Sequence, residues 1–222
     1  MKKLVALAAA AVISSAAVFA ENTFHFGLYF PISSFTVQSL TDDDFDDLAL
    51  FTTGVGGSVD FTHVADSGFV FKVGMGLAAA FTDDILTYEG DDFSGTDFEM
   101  GLGLGGSFIH NERMTLSLTG NFGYRIQSFS ESGSEKIYGT KTKYDNSWTS
   151  VLFYVGPELS FTYRFNEHFG IFASVGVFAN IGATINDYKV ENKDFDIDEE
   201  DTDIYFTTGS NFQPKIGVSI TL

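Results

Sequence analysis

Over residues 69–81 the chain alternates without a break, with Phe69, Phe71, Val73, Met75, Leu77, Ala79 and Phe81 on one side and Val70, Lys72, Gly74, Gly76, Ala78 and Ala80 on the other. Successive side chains of a strand point to opposite faces, so a period of two over this length puts every large residue on one side. Similar alternation returns along the chain to Leu222, broken by short polar turns or long acidic segments. Eight strands are predicted, at 23–30, 51–63, 69–81, 98–109, 114–127, 148–165, 169–183 and 206–222. The connections at 64–68, 110–113 and 166–168 are short and the other four are long. The pattern predicts an all-β fold, an eight-stranded antiparallel transmembrane β-barrel with up-and-down meander topology. Its short turns lie at one membrane face and its long loops at the other.

The first twenty residues follow another rule. Lys2 and Lys3 precede an apolar run over 4–13, and small residues lead to Val18-Phe19-Ala20. We read residues 1–20 as a secretory signal peptide cut after Ala20, which leaves 21–222 as one barrel domain. A membrane anchor is the competing reading, but the run is only about seventeen residues long, at the lower edge for a spanning helix. No apolar helix span follows, so a membrane-integral mature chain has to close as a barrel, the other architecture that satisfies its backbone in lipid. The sequence has no cysteine, which removes both a disulfide framework and a lipid-modified cysteine from consideration.

The net charge is −18, and segments 31–50, 82–97 and 186–205 carry all of it. Such a surface argues against nucleic acid, whose phosphates require basic patches. The face opposite the large apolar residues is small: Gly101, Gly103, Gly105 and Ser107, then Thr115, Ser117, Thr119, Asn121 and Gly123. A soluble barrel would carry charge on its outside. A small polar face suits the inside of a narrow barrel, with the apolar face against lipid. Aromatics mark both strand ends: Phe61, Phe69, Phe108, Phe165 and Phe169 by the turns, and Phe30, Phe51, Phe81, Phe98 and Tyr124 by the loops. Centring the first hairpin on Asp66 sets Asp60 across from Lys72, and centring the 166–168 hairpin on Glu167 sets Phe172 across from Thr162 and Phe178 across from Gly156.

The signal, the eight strands, the three tight turns and four long loops, and a lumen with Asp60, Lys72, Glu99, Arg125, Glu158, Arg164 and Lys215 together resemble the small outer-membrane barrels of the OmpX, OmpA transmembrane-domain and OmpW type. The resemblance is architectural and covers the mature chain. It implies a monomer in the cell outer membrane, in contact with outer-membrane lipid, delivered by the barrel-insertion machinery and without a cofactor. Family members commonly end in an aromatic residue, whereas this chain ends in Leu222. No peptidoglycan-binding domain is expected after the barrel.

The inward charges are read as structural ion pairs, and Tyr154, Phe172 and Phe178 as a lumen plug. Glycines in strands three and four leave space beside that plug. The four histidines, His25, His63, His110 and His168, fall toward the turn end, and none has serine two residues on. They are read as turn and interface residues, with no catalytic residue among them. Asp194, Asp196 and Asp198 stand at alternate positions with oxygen ligands suited to a divalent cation, but Glu199 occupies the place where an EF-hand needs glycine. A solvated acidic arm is the plainer reading. The connection 128–147 is the least acidic of the long ones. Lys136, Lys141 and Lys143 balance Glu131, Glu135 and Asp145, and Ile137, Tyr138 and Tyr144 suggest strands projecting past the membrane. Capture of an extracellular ligand by strand addition there would need an exposed edge. A structural or surface-interaction barrel fits these features best. A narrow porin-like channel for small solutes is the alternative, and an outer-membrane enzyme a remote one.

Overall fold

The computed structural model describes residues 21–39, 48–82, 93–137, 140–192 and 197–222. Residues 1–20, expected to be the signal peptide, the acids of 42–47 and 83–92, Tyr138, Asp194 and Asp196 lie outside the described residues, as does the side chain of Asp198. Nine strands follow in order: β1 Glu21–Tyr29, β2 Ile32–Ser39, β3 Leu48–Val64, β4 Phe69–Thr82, β5 Phe93–His110, β6 Met114–Ile137, β7 Thr140–Arg164, β8 Phe169–Asn192 and β9 Ile197–Thr221.

The ninth strand arises because the first wall strand is split. Pro31 and, across from the break, Pro214 lack N–H donors, and the ladder is carried through by Phe30 N donating to Pro214 O (3.1 Å) and Gly54 N donating to Pro31 O (2.8 Å). β1 and β2 keep one register against both β3 and β9, so they act as a single stave. Every neighbour pair is antiparallel, and β9 returns to β1 and β2, closing a barrel of eight staves in chain order. Paired residues traced around the wall from His25 run through Asp60, Gly74, Gly101, Gly123, Tyr154, Asn180 and Gly209, and return at Phe35, ten residues further along. A stagger of this kind is what tilts the strands of a closed barrel.

The three short turns are built by local polar chemistry. Asn111 Oδ1 accepts from Arg113 N and Met114 N at 3.0 and 2.9 Å, and Asn166 Oδ1 accepts from His168 N and Phe169 N, both at 2.9 Å. In the first turn Gly68 takes φ +81°, the left-handed region that favours glycine. That turn changes the register expected for its hairpin. Val64 pairs with Val70 and Asp60 with Gly74, so Thr62, not Asp60, lies across from Lys72. The shift is two residues, which preserves the face of every side chain. The hairpin at 166–168 has Thr162 across from Phe172, as expected.

Alternation sorts the wall cleanly. Leu77, Phe81, Leu104, Phe122, Phe153, Val155, Ile171 and Ile216 are exposed on the outside, while Asp60, Lys72, Glu99, Arg125 and Glu158 are buried inside. Four strands run further than their apolar pattern. β6 to β9 have 24 or 25 residues, against 14 in β4. Among the described residues β6 pairs with β5 only as far as Phe129, and β9 with β2 only as far as Tyr205. Beyond those points β6, β7, β8 and β9 continue as a four-stranded arm at the loop end.

Candidate functional site

The interior of the barrel concentrates the chain's buried polar chemistry, in successive layers. At the turn end Arg164 contacts Glu21 and donates Nε to the Glu112 carbonyl at 2.9 Å. Glu21 opens β1, directly after the expected cleavage point. Next, His25 is buried with Nε2 3.1 Å from Thr162 Oγ1 and Nδ1 3.4 Å from Thr62 Oγ1, its ring 4.6 Å from that of Phe172.

Mid-barrel, five charges from five strands converge. Lys72 on β4 contacts Glu158 on β7 and lies 3.5 Å from Asp60 on β3. Lys215 on β9 lies 3.5 Å from the same Asp60 oxygen and 3.2 Å from Glu99 on β5. Glu99 also accepts from Tyr29 Oη at 2.7 Å and from Gln213 Nε2. Asp60 is different: it is 1% exposed, and neither of its carboxylate oxygens has a hydrogen-bond partner in the structure. Burying a carboxylate is costly unless opposite charge sits close by, and the two lysine ammoniums supply that compensation. The Tyr154 and Phe178 rings pack edge to face, 5.1 Å apart, over this cluster. A cavity within this cluster offers about 20 Å³ to water centres and is bounded by Asp60, Lys72, Glu99, Tyr154, Glu158 and Lys215. About 10–15 Å³ is needed for one water, so the space suits a single molecule.

Towards the loops, Arg125 and Asp97 are both fully buried. The guanidinium donates Nε to Asp97 Oδ1 at 2.7 Å, Nη2 to Asp97 Oδ2, and Nη1 to Ser33 Oγ at 2.6 Å. Gln127 Nε2 adds a donor to Asp97 at 3.2 Å. Above this pair the interior turns apolar: Phe35, Val37, Leu50, Phe129, Trp148, Leu152 and Tyr205 form one buried cluster, with the Trp148 and Tyr205 rings stacked 5.6 Å apart.

All seven inward charges read from the sequence lie within the barrel, but in three groups. Asp60, Lys72, Glu99, Glu158 and Lys215 come together, whereas Arg125 and Arg164 are each held by a residue that sequence reasoning missed. Asp97 had been assigned to the acidic loop at 82–97. β5 begins at Phe93, which places Asp97 inside the wall on the same face as Glu99, and the spacing of two was the available signal. Tyr29, Gln213 and Trp148 were missed as well. Of the three aromatic plug residues, Tyr154 and Phe178 meet over the central cluster, while Phe172 lies against His25 one layer below. Inward glycines of β4 and β5 are occupied by neighbouring side chains rather than left as a channel. A Cβ at Gly74 would lie 2.1 Å from Asp60 Oδ1, and one at Gly101 would lie 2.0 Å from Tyr154 Oη. These glycines are the seats of the side chains that fill the lumen.

His63, His110 and His168 stand at the turn end, bonded to Asn22, Thr115 and the Thr221 carbonyl. Among the described residues no three His, Cys, Asp or Glu side chains converge as a metal site. The arrangement sets every buried cation of the lumen against a carboxylate and fills volume.

No curated protein matches the chain in sequence. Among solved structures, it is similar to the outer membrane protein OprG of Pseudomonas aeruginosa at 12% identity, over 92% of this chain and 96% of that one, with a TM-score of 0.50. It is also similar to Ail, the attachment invasion locus protein of Yersinia pestis, at 12% identity over 92% of this chain and all of that one, with a TM-score of 0.41. The OprG match identifies the fold as that of the small outer-membrane barrels. A family model described as protein of unknown function, DUF481, matches residues 81–193, half of the chain, and the protein belongs to that family.

Proposed function

We propose that the protein is a closed outer-membrane barrel that works at the cell surface rather than as a conduit or an enzyme. Residues 1–20 direct export and are removed after Ala20. Residues 21–222 form one barrel domain in outer-membrane lipid, with the short turns in the periplasm and the four-stranded arm outside. The lumen ion pairs and the aromatic rings over them are structural and hold the barrel shut.

The observation that carries this reading is the stacked closure of the lumen. A buried Arg125–Asp97 pair, a five-charge cluster and two edge-to-face rings leave room for about one water. An apolar exterior around a polar interior is what a spanning barrel of this kind shows, and long polar strands past the wall suit contact with an external partner.

The chain lacks cysteine, so single introduced thiols report topology directly. Ser134 in the arm and Ser67 in the first turn are both exposed. In intact cells a membrane-impermeant maleimide is expected to label Ser134→Cys and to spare Ser67→Cys until the outer membrane is breached. Labelling of Ser67→Cys alone would invert the topology, and recovery of either variant in the soluble fraction would end the membrane assignment.

A further inference from the structure

We propose that the five-charge cluster in the middle of the lumen takes up one further unit of positive charge, a proton or an alkali cation, at the Asp60 carboxylate. This rests on the closed lumen of the reading above and goes beyond it by giving the plug a ligand. Asp60, Glu99 and Glu158 bring three carboxylates to a point where Lys72 and Lys215 bring two ammoniums. All five side chains are buried. One negative charge in excess therefore lies inside the wall, away from the screening of bulk water.

The neighbouring layers do not make up the difference. Towards the loops Arg125 is taken by Asp97, and at the turn end Arg164 is taken by Glu21. His25 stands across from Asp60 on β1, but its ring nitrogens face the hydroxyls of Thr162 and Thr62, at 3.1 and 3.4 Å. Within the cluster the shortage falls on Asp60. Lys72 contacts Glu158, which also accepts from Ser160 Oγ at 3.2 Å. Lys215 lies nearer to Glu99 than to Asp60, and Glu99 has Tyr29 and Gln213 as further donors. Asp60 has both ammoniums 3.5 Å from Oδ1, and a hydrogen-bond partner on neither oxygen. A carboxylate that is 1% exposed and short of donors is where an incoming positive charge gains most.

The space and its lining match such a ligand. The cavity of about 20 Å³ that Asp60 borders has room for one water-sized particle. Its polar lining is rich in oxygen. Besides the three carboxylates it includes the Tyr154 hydroxyl, Asn121, whose amide nitrogen donates to Thr119, and Gln213, whose amide nitrogen donates to Glu99. The excess negative charge repels an anion. A divalent metal fits poorly as well: it would reverse the imbalance, and among the described residues no three acid or histidine side chains are placed to hold one. A single positive charge is what the count and the volume admit. It arrives either as a proton on the carboxylate, with water in the cavity, or as an alkali cation among the lining oxygens.

The test is urea unfolding of the refolded protein in an uncharged detergent, with ionic strength held constant by choline chloride. Between about pH 8 and 9 the unfolded chain has shed its carboxyl and histidine protons and keeps those of its lysines. A proton held only by the folded chain then makes the folding constant fall by up to about tenfold per pH unit as pH rises. An alkali cation instead makes it rise by up to about tenfold for each tenfold increase in sodium or potassium chloride exchanged for choline at fixed pH. One of these dependences is expected in the parent protein, and which one it is identifies the source. Asp60→Asn, which leaves two carboxylates against two ammoniums, is expected to remove it, and His25→Gln to keep it. Should Asp60→Asn not refold, Glu99→Gln gives the same charge count and is read the same way. A parent protein indifferent to both pH and alkali cation would overturn the proposal, as would a dependence that survives Asp60→Asn or disappears with His25→Gln. If these results fail while the parent gives no conductance steps in a planar bilayer, this inference falls alone. Steady steps there would remove the closed lumen beneath it.

Discussion

Arg125→Ala is the perturbation whose cost the structure specifies most sharply. The guanidinium is completely buried, and it donates to both oxygens of a carboxylate that is also completely buried, as well as to Ser33. Removing it leaves Asp97 charged inside the wall with Gln127 as its remaining side-chain donor, at 3.2 Å. Breaking a buried pair by deleting one partner costs about 3–5 kcal/mol, chiefly because the other charge is stranded. Removing both charges takes that penalty away. Asp97→Ala with Arg125→Ala is therefore expected to be more stable than Arg125→Ala alone, by about 2 kcal/mol if half or more of the stranded-charge cost is recovered. With a urea slope of about 2 kcal/mol per molar, the single variant should unfold about 1.5–2.5 M earlier than the parent. The assay is reversible urea unfolding in detergent, with folded and unfolded species separated on unboiled gels. A double variant that is no more stable than the single one would mean that Asp97 is not left unpaired, and would refute the buried pair.

Other outcomes follow from the same interior. Lys72→Met should destabilise more than Lys72→Met with Glu158→Gln, because Lys72 directly contacts Glu158 and lies further from Asp60; the same urea titration decides it. Gly101→Ala should cost about 1–3 kcal/mol by overpacking against Tyr154, and Tyr154→Leu in the same chain should recover part of the loss. Trp148, the single tryptophan, is 2% exposed, so folded protein should emit at short wavelength and resist quenching by iodide, and unfolding should abolish both properties. If Asp194, Asp196 and Asp198 gather a divalent cation, millimolar calcium should raise the unfolding midpoint, and their joint replacement by asparagine should remove the shift. An unmoved midpoint in the parent would return them to a solvated arm.

The wall of the barrel was legible because its outer face needs large apolar residues at every second position, which is the strongest period a sequence can carry. The arm was only half legible. Residues 130–136, like 198–203, carry no large apolar residue on either face, so hydrophobic alternation stops where the hydrogen-bonded ladder continues to Ile137 and restarts at Ile197. The inward charges could be assigned to the lumen by parity alone, but parity does not give partners. The left-handed Gly68 moved the first hairpin by two residues and turned Asp60 and Lys72 from a directly opposed pair into two members of a five-charge cluster. Strand tilt then brought Lys215 from β9 and Glu158 from β7 to the same point, a convergence that sequence spacing does not encode. Asp97 and Glu21 were lost because each lies at a strand end, where a boundary error of a few residues moves a side chain from wall to loop.

Closure of the lumen is the central claim, and planar-bilayer recording on purified, refolded protein tests it most directly. The parent protein is expected to give no steady conductance steps, because the Tyr154 and Phe178 rings and the five-charge cluster beneath them leave room for about one water. Steady steps in the parent, enlarged by Tyr154→Ala with Phe178→Ala, would contradict the account and make the protein a channel for small solutes.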